Sequence, residues 1–399
     1  MKPIPSAASP ATAAEPGFGL TFAMAAATGI AVANIYYNQP MLGIIEHEFN
    51  NPTLTGLIPT ATQLGYAIGL FLLVPLGDMM DRRRLIVGQF LVLALSLVIA
   101  ALAPTVLMLL LGSLLVGIAS TVAQQVIPLA AALAAPERRG RVLGTVMSGL
   151  LCGILLSRTL AGFVAAHFGW REMFWVAVPV AVATSVLMAI VLPRNHPHAG
   201  IRYGAALKSL IHLWQEEPAL RGAALKQASL FAGFTTFWAI LALHLEEPSF
   251  GLGADVAGLF GIVGMIGVLA APIAGRIADK RGPDLVISLA AVVILLSWAM
   301  FGLWNAVPGL VVGCILLDFG VQSAMVSNQH IVFALRPEAR NRLNTIYMTS
   351  IFLGGALGSA GATVVWRHTG WMGVSIYGGA LAVLALALEA AGHFGAFRK

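Results

Sequence analysis

Twelve apolar runs of about 20 residues follow one another along the sequence, and this pattern constrains the fold more than any other feature. Each run is long enough to cross a hydrocarbon core of about 30 Å as an α-helix. Of the 399 residues, 58% are hydrophobic and only 10% are charged, which is too little polar surface for a water-soluble fold of this size. The sequence therefore predicts an all-α integral membrane protein with twelve transmembrane helices, surrounded by the lipid bilayer.

Basic residues are distributed unevenly between the two sets of loops. The loops on one side contain most of the Lys and Arg residues, including those at 82–84 and 138–141, whereas the loops on the other side contain only Arg171 and Arg367. Cytoplasmic loops are enriched in Lys and Arg, so both termini are predicted to be cytoplasmic. The scatter of these residues over short loops, with no single basic patch, argues against nucleic-acid binding despite the net charge of +6.

The second half of the chain repeats the first at a constant offset of 201 residues. Pro136-Glu137 corresponds to Pro337-Glu338, and Gly169-Trp170 corresponds to Gly370-Trp371. The same offset relates Gly112 to Gly313, Arg141 to Arg342, Gly153 to Gly354 and His167 to His368, without a gap. With six spans in each half, the repeats have parallel topology and predict two pseudo-symmetric six-helix bundles.

A polar segment separates the two halves. Within residues 194–218, apolar side chains recur at helical spacing, at Tyr203, Leu207, Leu210, Ile211 and Trp214. This pattern predicts a cytoplasmic linker that carries an amphipathic helix on the membrane surface. The predicted organisation is a tail at 1–16, a first bundle at 17–193, the linker at 194–218, a second bundle at 219–395 and a tail at 396–399.

One charged loop motif occurs in both halves: Gly77, Asp81 and Arg82 follow the second span, and Gly275, Asp279 and Lys280 follow the eighth at the same spacing. The motif resembles the loop between helices 2 and 3 of the major facilitator superfamily, which recurs between helices 8 and 9. The second copy also matches through Gly282. The first copy lacks that glycine and continues into Arg83-Arg84, which predicts a tighter loop. The resemblance implies that both loops act at the inner gate.

This resemblance implies the major facilitator fold and a secondary transporter that works by alternating access. The chain looks most like bacterial drug and metabolite exporters, which implies proton-coupled efflux of a small organic molecule by a monomer in the bacterial inner membrane. Two exporter features are missing, because Ser113 replaces a fourth-span arginine and Ile154 replaces the proline after Gly153. Proton-symport uptake and facilitated diffusion of a small polar metabolite are therefore the alternatives.

An enzyme is not expected. An intramembrane enzyme needs a nucleophile with its base, or a metal cluster. The sequence contains no His-Glu-x-x-His or Cys-x-x-Cys motif and no phosphate-binding loop. We therefore expect neither a metal nor a cofactor.

Polar residues inside spans are the candidates for transport, because a charge in hydrocarbon is costly unless it faces a cavity or a partner. In the tenth span, Asp318, Gln322, Met325 and Gln329 lie on one helix face. Arg158 in the fifth span lies at a similar depth. We expect it to pair with Asp318, closing the outer side until substrate or a proton competes. The alternatives are that Asp318 only bonds neighbouring helices and that Arg158 extends to the outer interface.

A second set of side chains is predicted to bind substrate near the middle of the membrane. Asn34, Tyr37 and Asn38 share one face of the first span, just before Pro40, which is expected to kink that helix. The other candidates are Gln63, Gln125, Trp238, Gln322, Gln329 and His330. The alternative roles are hydrogen bonding between helices for the amides and aromatic packing for Trp238.

Overall fold

The computed structural model describes residues 17–194, 202–268, 270–336 and 339–393, and the regular elements in these ranges are all helical. The first half contains α1 (Phe18–Ala33), α2 (Asn38–Phe49), α3 (Pro52–Thr55), α4 (Ile58–Leu73), α5 (Arg82–Ala101), α6 (Val106–Ser120), α7 (Ala123–Leu133), α8 (Arg139–Phe168) and α9 (Trp170–Val191). A linker helix α10 (Tyr203–Glu216) precedes α11 (Pro218–Leu245), α12 (Ala254–Val268), α13 (Ala270–Arg281), α14 (Pro283–Leu303), α15 (Val307–Leu335) and α16 (Arg340–His393). The predicted tails at 1–16 and 396–399, Pro337-Glu338 and the side chain of Asp279 lie outside the described residues.

Ten helical segments of the described chain are long and apolar enough to cross a membrane, so the all-α membrane fold is confirmed. The last segment, α16, is longer than one crossing requires and contains a non-helical residue, Gly370. A division of α16 at Gly370 and the inclusion of the shorter apolar α12 would give twelve spans. The number twelve itself stays a prediction.

The helices run between two ends of different charge. One end, called the basic end below, contains the N-termini of α5, α8 and α16, at Arg82, Arg139 and Arg340, together with the linker helix. The opposite end, called the acidic end, contains Glu46, Glu48, Glu246 and Glu247. These two names do not depend on which side of the membrane each end faces.

Equivalent residues of the two halves share local features, including a glycine with positive φ and an arginine hydrogen bond to a backbone carbonyl. Gly169 and Gly370 have φ values of 110° and 61°, and each is followed by a buried tryptophan. A positive φ is costly for a residue with a Cβ, which explains why glycine occupies both turns. At the basic end, Arg139 Nε donates to Ala131 O at 3.0 Å, and Arg340 Nε donates to Phe333 O at 3.1 Å. Arg139 and Arg340 are again 201 residues apart, in agreement with the duplication.

Small residues allow the helices of each half to approach closely. α8 lies against α1 where Gly153 meets Gly29, and α16 lies against α11 where Gly358 meets Ala232. Such contacts stabilise a membrane protein through van der Waals packing, because lipid tails offer no hydrophobic driving force between helices. Leu357, on the same helix as Gly358, is 71% exposed, as expected of a surface that faces lipid.

The linker contains an amphipathic helix, α10. Its Leu210 and Leu213 are buried, and Tyr203 donates from its hydroxyl to Leu72 O at 2.8 Å. Ile211, a member of the predicted apolar stripe, is 51% exposed, and the buried Leu213 lies outside that stripe. The domain boundaries at 193 and 219 stay predictions.

A buried ion pair joins α11 to α16, and sequence reasoning did not identify it. Lys226 Nζ lies 2.5 Å from Glu389 Oε2, and the two side chains are 9% and 5% exposed. We expect Lys226→Met to destabilise the fold by about 3–5 kcal/mol, because Glu389 would lose this counter-ion while remaining buried. Adding Glu389→Leu should recover most of that loss. Thermal unfolding of the purified variants tests this, and a double variant less stable than Lys226→Met would contradict it.

Candidate functional site

The two halves of the chain contact each other at the acidic end. Thr363 Oγ1 donates to Gly56 O at 2.8 Å, and the hydroxyl oxygens of Thr60 and Ser359 lie 2.8 Å apart. Arg367 also donates to Thr53 Oγ1. Because these bonds join elements of different halves, the acidic end is closed in this conformation.

α8 and α12 cross at a close approach between the halves. Thr159 Oγ1 donates to Gly258 O at 3.0 Å, and a Cβ on Gly258 would lie 2.7 Å from Arg158 O. On the other helix, a Cβ on Gly162 would meet Ala254 O. Larger side chains at these positions would hold the helices apart. The close approach brings Arg158 directly beside α12.

The first membrane span is interrupted at residues 34–37, between α1 and α2. The sequence predicts a kink at Pro40, because proline leaves the Tyr36 carbonyl without its helical donor. In the structure, Tyr36 O accepts from the backbone N–H of Gln39 at 3.3 Å, and the regular helix stops before the proline is reached. The first span is therefore interrupted by a turn at 34–37, and Pro40 lies in the first turn of α2.

Three of the predicted substrate-binding residues lie at this interruption. Asn34 ends α1, and Tyr37 and Asn38 begin α2, and all three are buried. Asn34 donates to Ile30 O at 2.7 Å, and Asn38 donates to Thr62 Oγ1 at 2.7 Å. Within the described chain, the Oδ1 atoms of both asparagines lack a hydrogen-bond partner. Interrupted helices place such polar atoms inside the membrane, where transporters bind substrate.

Arg158 lies inside the bundle and is only 1% exposed, so it does not extend to the interface. Its Nε donates to Gln39 Oε1 at 2.8 Å. The guanidinium carbon lies 3.9 Å from the ring centre of Trp238 and 4.5 Å from that of Tyr36. These cation–π contacts stabilise a desolvated positive charge. Nη2 has no hydrogen-bond partner among the described residues.

Asp318 lies on α15 and is 5% exposed. Cys314 Sγ lies 3.6 Å from its Oδ2. The sequence predicts a direct pair with Arg158, but these two described side chains are not joined by a nitrogen–oxygen contact within 4.0 Å. The pair is not formed in this conformation, because Arg158 is instead held by Gln39 and the flanking aromatic rings.

The two charged groups nevertheless share a neighbour, α12. A Cβ on Gly261 would lie 3.1 Å from Arg158 Cβ, and a Cβ on Gly264 would lie 3.3 Å from Asp318 Oδ1. Residues three apart in a helix lie on one face. Arg158 of the first half and Asp318 of the second half therefore pack on neighbouring positions of one glycine-lined helix.

The remaining predicted residues have different surroundings. Gln63 is buried, and its Oε1 has no partner in the described chain. Gln125 donates to a backbone carbonyl of α4 at 2.8 Å, so it bonds two helices of the first half, which is the alternative role predicted for the amides. Gln322 and Gln329 are half-buried on α15, and His330 is exposed. Their part in substrate binding stays a prediction.

The first loop motif at the basic end is held by local hydrogen bonds. Asp81 caps α5 by accepting from the backbone N–H of Arg83 at 3.0 Å, and Arg82 Nε donates to Gly77 O at 2.9 Å. Residues 74–81 lie between α4 and α5, whereas only Gly282 lies between α13 and α14, so the prediction of a tighter first loop is wrong.

The second loop motif has a longer helix before it. α13 continues to Arg281, and Gly282 ends it with φ of 88°. No atom of the described chain lies within 4 Å of the place a Cβ would take on Gly275, so this glycine does not mediate close helix packing here. Lys280 is exposed. The gating role of both loops stays a prediction.

A row of aromatic rings crosses between the halves and ends at Arg158. Between ring centres, Tyr66 lies 4.2 Å from Phe352, Phe352 lies 5.4 Å from Phe231, Phe231 lies 5.4 Å from Phe234, and Phe234 lies 6.1 Å from Trp238. We call these five residues the aromatic row. The helical spacing of its three α11 members is visible in the sequence, whereas the contact between α4 and α16 is not.

The carboxyl group of Glu246, at the closed acidic end, has a pKa shifted upward by its surroundings, so we expect closure to depend on pH. Burial raises the pKa of the Glu246 carboxyl, His47 lowers it, and the carboxylate of Glu46 raises it. His47, which lies on the opposite half, approaches Glu246 to 3.7 Å. A raised pKa means that Glu246 binds its proton more tightly in the closed state than in an open, hydrated one. Acidification therefore favours closure, and this contribution is lost as the pH rises through the raised pKa.

We expect Glu246→Gln to make closure of the acidic end independent of this titration. Spin labels on the exposed residues Pro104 and Ser249 would report the separation of the halves at about pH 5 and about pH 8. The wild-type protein should show more of the short distance at the lower pH. An equal pH response in the Glu246→Gln variant would contradict this assignment.

Comparison with known proteins adds to this geometry. A family model described as Major Facilitator Superfamily matches residues 24–359. The chain is 42% identical over 374 residues to the "Uncharacterized transporter YgaY" of Escherichia coli O157:H7. The match covers 91% of this chain and 93% of that relative. It is also 25% identical over 371 residues to the "Multidrug resistance protein B homolog" of Mycobacterium tuberculosis, covering 77% of this chain and 69% of that protein.

A solved structure shares the fold. It is the crystal structure of a bacterial homolog to the human lysosomal transporter Spinster, in an inward-facing and unoccupied conformation. The TM-score is 0.74, the identity is 14%, and the match covers 95% of this chain and 96% of that chain. The predicted major facilitator fold is thereby confirmed.

Proposed function

We propose that this chain, which belongs to the Major Facilitator Superfamily, exports a small organic molecule by alternating access, with proton movement through Asp318 supplying the driving force. The chain is a membrane transporter and not an enzyme. The observation that carries the coupling proposal is the placement of Arg158 and Asp318, which are buried side chains of different halves that pack on α12 about one turn apart, at Gly261 and Gly264. A buried acid without a direct counter-ion is a suitable proton carrier.

The closed acidic end supports a specific orientation. We assign the basic end to the cytoplasm, because Lys and Arg accumulate in cytoplasmic loops. The conformation described here then faces inward, like the solved structure with which it shares its fold. In this orientation a single copy of the chain in a bacterial inner membrane receives substrate from the cytoplasm and releases it when the bonds at the acidic end break. Export is supported by the relative named for multidrug resistance.

Proton symport is a second candidate, and the charge balance of the site supports it. With Asp318 ionised, its charge and that of Arg158 cancel, whereas protonation of Asp318 leaves one buried positive charge. Net charge in a low-dielectric core opposes rearrangement. A neutral substrate restores balance only by displacing the proton, which gives exchange. An anionic substrate restores balance by binding together with the proton, which gives co-transport.

Proton movement in proteoliposomes tests the proposed function. The purified protein would be reconstituted with a pH-sensitive dye inside the vesicles, and neutral, anionic and cationic compounds would be added outside. We expect at least one compound to cause a pH change that protein-free vesicles do not show. Compounds that cross the membrane without moving protons would contradict the coupling and favour facilitated diffusion.

A further inference from the structure

Arg158 is buried with unused hydrogen-bond donors and without a close counter-ion, and these two properties indicate the kind of ligand that fits there. It is 1% exposed, it has no carboxylate within 4.0 Å, and its Nη2 lacks a partner among the described residues. Its Nη1 makes only a long bond of 3.5 Å to Ile154 O. Burial of a guanidinium is costly when its donors are unused, and a carboxylate is the group that fits its fork of parallel N–H donors.

A second unused donor lies next to the first. Trp238 is 2% exposed, and its indole Nε1 has no partner in the described chain. The ring centre of Trp238 is 3.9 Å from the guanidinium carbon of Arg158, so the two donors belong to groups in direct contact. Buried Trp N–H groups are usually hydrogen-bonded. Two neighbouring buried donors without an acceptor favour a ligand that has acceptor atoms, and an anion is such a ligand.

The surroundings of this donor pair are apolar and aromatic. The aromatic row leads from Tyr66 to Trp238, and Tyr36 packs on the guanidinium from the first half. Flat rings beside the donor pair favour a ligand with a flat apolar body, through stacking. The row ends at Arg158, so the ligand would place its charge there and its body along the rings.

We infer that the substrate is a small organic anion, a carboxylate or a group of similar shape on an aromatic or apolar body, whose charge binds Arg158 Nη2 and Trp238 Nε1. This inference rests on the proposed function in that it treats the centre of the bundle as the transport site. It deepens that function by naming the substrate class. Of the two candidates under the proposed function, it favours proton symport, and hence uptake rather than export, because the anion compensates Arg158 when Asp318 is protonated.

Equilibrium binding tests this inference without any proton gradient. The full-length protein in lipid nanodiscs would be titrated with 1-naphthoate and with its neutral isostere 1-naphthamide, and empty nanodiscs would correct for partition into lipid. We expect the carboxylate to bind about tenfold or more tightly than the amide, a difference of about 1.4 kcal/mol. Equal affinities, or no binding of 1-naphthoate, would overturn the inference.

Two variants locate the effect. Arg158→Gln should remove the preference for 1-naphthoate, and Trp238→Phe, which keeps an aromatic ring but loses the N–H donor, should reduce it several-fold. A preference that survives in both variants would overturn the site assignment. If the wild-type protein moves protons with neutral or cationic compounds yet does not distinguish the naphthyl pair, the inference fails while the proposed function stands.

Discussion

Asp318→Asn is expected to abolish compound-dependent proton movement in proteoliposomes. Asparagine has nearly the same shape as aspartate, so the contacts with Cys314 and with α12 at Gly264 can persist, but the side chain no longer binds or releases a proton. Coupling free energies of about 1–3 kcal/mol correspond to about 5–150-fold effects, so the loss should be about tenfold or more. The pH-sensitive dye inside the vesicles measures it directly.

Two controls separate loss of coupling from loss of transport. Exchange of a labelled anionic compound across the membrane, with no gradient imposed, should continue in Asp318→Asn, because the anion balances the charge of Arg158 and the exchange needs no proton. Cys314→Ser, which changes the neighbour of Asp318 without removing its charge, should retain proton movement. Normal proton movement in Asp318→Asn would exclude Asp318 as the proton carrier.

Gly162→Leu is expected to prevent closure of the acidic end. A Cβ on Gly162 would meet Ala254 O and would lie 3.0 Å from Gly258 Cα, and both partners belong to the other half of the chain. Overpacking typically costs about 1–3 kcal/mol. Because this cost applies only to the closed state, the ratio of open to closed molecules should rise about 5–150-fold. Spin labels at Pro104 and Ser249 should report longer distances, and transport should fall in parallel.

Gly153→Leu is the matched control for this prediction. Gly153 lies on the same helix but packs on Gly29 within the first half. Leucine there should destabilise the folded bundle in thermal unfolding, whereas Gly162→Leu should leave thermal stability near that of the wild-type protein. Short label distances and full transport in Gly162→Leu would contradict the role of this crossing in closure.

The duplication explains why much of the fold could be predicted. Span lengths and the offset of 201 residues are properties of the sequence itself, and the equivalent bonds of Arg139 and Arg340 follow from them. Such features depend on neighbours in the sequence or on the repeat, so no tertiary contact has to be known.

The candidate site depends on contacts between distant segments, which is why sequence reasoning was less successful there. Depth along the helices predicts that Arg158 and Asp318 lie at one level, and both pack on α12, but depth does not give the rotation of one helix relative to another. Gln39, 119 residues from Arg158, is the partner that Arg158 actually binds. Lys226 and Glu389 were missed for the same reason, since they are separated by 163 residues.

The most direct test of proton-coupled transport is uphill movement under an imposed pH gradient. Labelled 1-naphthoate and a panel of neutral and cationic compounds would be equilibrated across proteoliposome membranes, after which a pH gradient would be imposed. Proton coupling predicts that at least one compound accumulates against its own gradient in proteoliposomes and not in protein-free vesicles, and that a protonophore collapses the accumulation. Accumulation that persists without the pH gradient, or a wild-type protein that only equilibrates every compound it carries, would contradict proton coupling through Asp318.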